Sequence, residues 1–264
     1  MPGVVLTDPE PGRVRTGYFG KLPARRDFVT ANLPRVVTET WLGWVEDGLV
    51  RSRELIGEDW LGCYLNQPVW RFALSGGLCG AGAVAGVMVP NLDRVGRHFP
   101  LTIMALLPAD TAPAVIAVAL AEWYRAAEVL ALSSLEAGFL FEDFERRVEA
   151  LVLEFPAVIP MAKPSETAWM SISGQANGWQ WASDAQGDPA RVFAGLFDQA
   201  VARSVTSYSL WWSVGSDVIP PALTAHRGLP GANAFTALVD GRWEQRGWDF
   251  APGFRFDDTE PALS

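Results

Sequence analysis

The chain has 264 residues, 49% of them apolar and 19% charged, which allows one large domain or two small ones and excludes a disordered polymer. Its net charge of −9 is opposite in sign to that of a general nucleic-acid binder, and its two cysteines are too few for a disulfide framework. The 12 tryptophans must lie in or beside a core, because exposing them would cost solubility.

Residues 1–15 carry prolines and no periodic pattern, and read as a flexible tail. Acids and prolines stand there where a signal peptide needs a positive start and an apolar run. "GYFG" at 17–20 reads as a short strand. Pro34 can start a helix, along which Val37, Trp41, Trp44, Val45 and Leu49 recur at helical spacing. "VWRFALS" at 69–75 alternates, with Val69, Arg71, Ala73 and Ser75 on one face and Trp70, Phe72 and Leu74 on the other. Residues 83–90 and 100–107 read as buried strands, which completes a three-stranded meander. The glycine-rich run 76–86 fits the dinucleotide-binding spacing. That fingerprint needs a helix opening at the loop, and Val84, Val87, Val89 and Pro90 deny one. A wide turn between strands is the reading.

A helix capped by Asp110 or Thr111 is predicted to run to about Leu132, and a second to cover 141–155. Residues 156–166 read as a linker inside one compact unit, followed by a strand at 167–173. Asp188 and Pro189 open a helix over 188–204. A strand at 208–215 and a short element at 233–241 follow. The predicted fold is an α/β (α+β) sandwich with a mainly antiparallel sheet flanked by helices. It forms a single domain over 16–252, and 253–264 read as a flexible tail. The longest apolar stretch, Leu101 to Leu120, is interrupted by Pro108, Asp110 and Pro113, so it cannot span a bilayer as one helix. The chain reads as soluble and cytoplasmic.

No catalytic set assembles from spacing alone. No hydroxyl residue follows Lys21 to complete a phosphate loop, and no GxSxG turn surrounds a serine. His98, His226, Cys63 and Cys79 show no metal-ligand spacing, and the thiols read as buried and inert. Acids in "FEDFE" read as a solvated helix face. The unusual feature is local charge. Between Arg13 and Arg35 lie six basic residues and one acid, Asp27, an asymmetry that can steer an acidic partner or a phosphate. Arg71 sits in an apolar strand, and Asp93, Arg94 and Arg97 sit in a turn between strands. A charge amid apolar neighbours needs a partner. Asp27, Arg71 and Asp93 are therefore expected to form ion pairs that tie the first loop to the meander. Lys21, Arg25, Arg26, Arg94 and Arg97 would then face a binding partner.

"GYFGKLPARRDFV" (17–29), "PVWRFALSGG", "GVMVPNLDRVGRHFPLT", "SLWWSVG" and "LPGANAFTALVDG" occur in that order. Together they resemble the TagF family, also called ImpM, of type VI secretion system-associated proteins. The sequence departs from the family pattern at Arg26, at Asn91–Leu92 and at His98. The resemblance implies a non-enzymatic accessory protein of the cytoplasm, with no cofactor and a longin- or profilin-like fold. It further implies post-translational repression of the secretion apparatus, in some systems through a forkhead-associated scaffold protein. Two alternatives remain open at this point: a small-ligand or phosphate-binding domain, and a structural subunit of the apparatus.

Overall fold

A computed structural model describes residues 13–154 and 189–249. The first strands are β1 (Arg13–Val14), β2 (Thr16–Gly20) and β3 (Val29–Ala31). The long helix α1 (Arg35–Ile56) and the short α2 (Trp60–Asn66) follow. The meander is β4 (Trp70–Leu74), β5 (Ala83–Val89) and β6 (Leu101–Leu107). Then come α3 (Pro113–Ala119), α4 (Ala121–Ser133), α5 (Phe141–Ala150) and β7 (Leu153–Glu154). The remaining elements are α6 (Pro189–Ala202), β8 (Tyr208–Ser213), β9 (Ala222–Arg227) and α7 (Ala232–Asp240). The expected strand at 167–173, the linker at 156–166, the cap at Asp188 and the tail at 253–264 lie outside the described residues, as does most of the tail at 1–15.

Seven strands form one sheet in the order β3-β2-β6-β5-β4-β8-β9, and every neighbouring pair is antiparallel. The β4–β5–β6 meander is its centre. Alternation along these strands sends side chains to two faces. On one face Trp70, Phe72, Leu74, Val84, Met88, Met104 and Trp211 meet α1 and α7. On the other, Ala73, Ala85, Val87, Ile103 and Ala105 meet α4 and α5. The result is a three-layer α+β sandwich.

The first face is aromatic. Phe72 lies 4.8 Å from Trp41 and 4.9 Å from Trp211, and Trp44 lies 5.2 Å from Trp211. Buried indole N–H groups need acceptors. Trp41 donates to Thr102 Oγ1 (3.0 Å), Trp70 to the Leu238 carbonyl (2.9 Å) and Trp60 to Ser52 Oγ (2.7 Å). Two glycines make room. A Cβ on Gly86 would stand 2.1 Å from the Phe72 ring, and one on Gly48 would stand 2.3 Å from Phe235.

Two helix lengths differ from expectation. The helix predicted to run to about Leu132 breaks at Leu120, whose φ of −106° and ψ of 23° leave the helical region. The two halves serve different clusters. Ala114 and Val115 pack toward α6 and β8, whereas Leu120, Trp123 and Leu130 pack onto the central sheet. One straight helix could not supply both. The helix predicted over 141–155 ends at Ala150. Leu153–Glu154 instead pairs with β1, and the Leu151 carbonyl accepts the Thr16 hydroxyl. Four strands escaped the sequence reading: β7, β1, whose Arg13–Val14 falls in the stretch read as a tail, and the longer β3 and β9. β3 is only three residues long. In β9, Leu223 and Ala225 face outward while Thr224 and His226 are half-buried, so the apolar pattern gives no strand signal. The element at 233–241 is a helix.

Candidate functional site

Two of the charged stretches singled out by sequence, 21–28 and the β5–β6 connection, come together at one end of the strands. The chain leaves β2 at Gly20 and returns as β3, and the loop between them is 21–28. The β5–β6 connection forms the second loop. There Leu92 bridges to His98, the Asp93 N–H donates to the Arg97 carbonyl at 3.0 Å, and Gly96 takes a φ of 83° that favours glycine. The two loops join directly, since the Arg94 N–H donates to the Arg25 carbonyl at 2.9 Å.

Asp93 is the hub of this junction and is 0% exposed. Its Oδ1 accepts the N–H groups of Val95 (3.0 Å) and Arg97 (2.9 Å). Its Oδ2 accepts Arg97 Nε (2.6 Å) and lies 3.2 Å from Lys21 Nζ. Burial pushes this carboxyl up. The bonds from Arg97, Lys21 and the Val95 amide outweigh that and hold it far below the ordinary carboxylate range. Arg97 also donates to the Arg26 carbonyl, so one guanidinium spans both loops. Lys21 is buried and lies 5.1 Å from the Phe28 ring centre.

The expectation for these residues is met unevenly. Asp93 forms an ion pair between the loops, but with Lys21, and a second within its own loop with Arg97. Arg71 reaches neither aspartate. It pairs with Glu128 on α4, at 2.7 Å through Nε, because β4 is central and its Arg71 face looks onto that helix. Asp27 is exposed and makes no ion pair among the described residues. Lys21 does not face outward, because Asp93 consumes it. Arg25, Arg26, Arg94 and Arg97 do reach the surface. Arg25 is braced by α5, since its guanidinium sits 4.1 Å over Phe141 and 3.3 Å from Glu142. The partner of Arg71 was legible in principle, because Glu128 lies on the helix packed over the meander. Lys21 carried no such signal.

A second buried carboxylate was missed. Asp198 on α6 is 4% exposed, and it accepts the N–H groups of Ala114 (3.2 Å) and Val115 (3.3 Å) in the first turn of α3. Ala112, the N-cap residue of α3, gives no side-chain bond, so Asp198 performs the cap from another helix. Burial is the main influence and raises its pKa to about 6, with the two amides pulling the other way. Helical spacing held the signal, since Asp198 falls on the inner stripe with Ala194 and Val201.

The remaining titratable groups are dispersed. Cys79 is buried and its thiol is pushed up to about 12 by burial, while Cys63 is half-buried. His98 packs edge-on against Trp60 and Tyr64, and burial together with Arg53 and Lys21 lowers its pKa. A shallow depression of about 150 Å³ lies at the α4–α5 connection, lined in part by Glu136, Asp143 and Arg147. No described helix is long and apolar enough to cross a membrane. The geometry thus offers a rigid pair of loops that carries guanidinium groups outward.

Three comparisons with known proteins bear on this arrangement. The model of the TagF N-terminal domain, described as type VI secretion system-associated, matches residues 17–151, which contain both loops. No curated protein sequence matches the chain. Among solved structures, the crystal structure of PA0076 from Pseudomonas aeruginosa PAO1 is 33% identical. It aligns over 91% of this chain and 98% of its own, with a TM-score of 0.69. The chain belongs to the TagF family of type VI secretion system-associated proteins.

Proposed function

We propose that this protein is a non-enzymatic, cytoplasmic accessory factor that represses type VI secretion post-translationally by binding another protein. Family membership supplies the system. The observation that carries the binding role is the double loop, in which the buried Asp93 fixes two chain segments while Arg25, Arg26, Arg94 and Arg97 project from them. Spending internal hydrogen bonds on a surface loop lowers the entropy lost when that loop docks. Cations on such a rim favour encounter with an oppositely charged partner. The phosphate-cradle reading loses support, because the lysine that such a cradle would use is neutralised by Asp93.

The test is made in the native host. Secretion of the apparatus's own tube protein is measured with the gene deleted, restored and overproduced. Repression predicts more secretion on deletion and less on overproduction. Unchanged secretion in both strains would end the regulatory reading. Co-purification with the forkhead-associated scaffold protein, with and without Arg25→Glu and Arg26→Glu, tests the surface. Retained co-purification by the double variant would remove these two residues from that interface.

A further inference from the structure

We infer that the double loop receives an acidic segment of the partner with an apolar residue among its carboxylates, and that Asp93 is the positioning residue that keeps the loops ready for it. The inference rests on the reading above and names the partner's chemistry at the same surface. Among the described residues, four guanidinium groups, those of Arg25, Arg26, Arg94 and Arg97, stand here beside the exposed carboxylates Asp27 and Glu142, with Glu145, which accepts the Tyr18 hydroxyl, and Glu149 following on α5. The charges of Lys21 and Asp93 cancel inside. This is a cationic island on a molecule of net charge −9. A long polyanion such as nucleic acid would meet the acidic remainder and be repelled. A short acidic stretch would meet the island alone.

The island is not purely polar. Val95, between Arg94 and Gly96, is 60% exposed, and Phe28 is 39% exposed. Phe28 is held in place, stacked 5.3 Å from Phe19 and edge-on 4.8 Å from Phe99. Fixed apolar groups beside planar cations suit carboxylates flanking an apolar side chain, with bidentate guanidinium–carboxylate pairs giving direction. The rim residues all lie on the outside of the loops, so among the described residues nothing encloses a small anion there.

The role of Asp93 separates this idea from simple charge attraction. Asp27→Asn and Asp93→Asn each remove one negative charge from the same pair of loops, the first at the surface and the second beneath it. If charge alone governs binding, both variants bind an acidic peptide more tightly. If Asp93 acts by holding the loops, Asp27→Asn strengthens binding and Asp93→Asn weakens it.

The experiment is fluorescence anisotropy with a short labelled peptide of alternating glutamate and leucine, at low and at physiological salt. A glutamine-for-glutamate version, inorganic phosphate and a single-stranded RNA of the same length serve as comparison probes. We expect salt-sensitive binding of the acidic peptide, about tenfold or more weaker in Arg26→Glu/Arg94→Glu. We also expect opposite shifts for Asp27→Asn and Asp93→Asn. Equal binding of the glutamine peptide, preference for RNA or phosphate, or tighter binding by Asp93→Asn would each overturn the inference. Should Asp93→Asn fail to fold, the Asp27→Asn and double-arginine results still decide the partner's chemistry. If the peptide fails while gene deletion still raises secretion, the regulatory function stands and only the acidic partner falls. If the peptide binds while secretion is indifferent to the gene, the surface stands and the regulatory function falls.

Discussion

Asp93 and Asp198 are both buried carboxylates that accept backbone amides, yet the fold treats them in opposite ways. Around Asp93 two cations and two amides converge, and together they overcome burial and keep the carboxyl ionised. Asp198 meets two amides of α3, and burial wins, so its pKa rises to about 6. The first arrangement locks two loops to the sheet at every pH near neutrality. The second joins α6 to α3 through a group whose charge is costly. Burial alone therefore does not set a carboxylate's character. The number and charge of the donors facing it do.

The largest test of this contrast is Asp93→Ala. It leaves Lys21 buried without its partner, and the expected loss is about 3–5 kcal/mol in urea unfolding. A loss near zero would mean that the loops relax around the change and that the hub is dispensable. Asp198→Ala is expected to cost less, about 1–2 kcal/mol, because it removes a cap from a helix whose Ala114 amide keeps the Tyr208 hydroxyl at 3.3 Å. Hydrogen exchange should localise that loss to α3 and α6 and leave the meander protected.

The pH dependence sharpens the comparison further. The folded Asp198 carboxyl titrates near 6 and the reference value is 3.8, so the folded state binds this proton more tightly. Its contribution to stability is full below about pH 4 and is lost as pH rises through 6. The stability of the natural protein relative to Asp198→Asn should fall across that window. A flat difference would refute the assignment. Asp93 has the opposite sign, since its contribution holds above pH 3.8 and is lost on further acidification. The smallest effect is expected for Arg26→Glu with Arg94→Glu. Both side chains are exposed, so stability should move by no more than about 0.5 kcal/mol. A larger loss would show that the rim also holds the loops together.

How much of this was legible varies with the range of the interaction. The meander was readable because period-two alternation in 69–75 follows from strand geometry, and α1 because Val37, Trp41, Val45 and Leu49 share one helical stripe. The glycine-rich turn was readable because Val and Pro forbid a helix there. The break at Leu120 was not, because local propensity favours helix on both sides and only the separate clusters demand a bend. For the buried charges, the demand for an ion partner followed from cost, and only for Arg71 could the helix over the meander have suggested which. Arg71 found Glu128, and Asp93 found Lys21 and Arg97.

Sequence alone determined which segments alternate, which are amphipathic and where positive charge concentrates, because these depend on neighbours within a few residues. It also carried the family resemblance, through ordered blocks. The tertiary structure decided which cations are spent and which remain outward, and which carboxylate is ionised. Those outcomes depend on distance and desolvation between residues far apart in the chain, as with Lys21 and Asp93, and only the folded arrangement sets them.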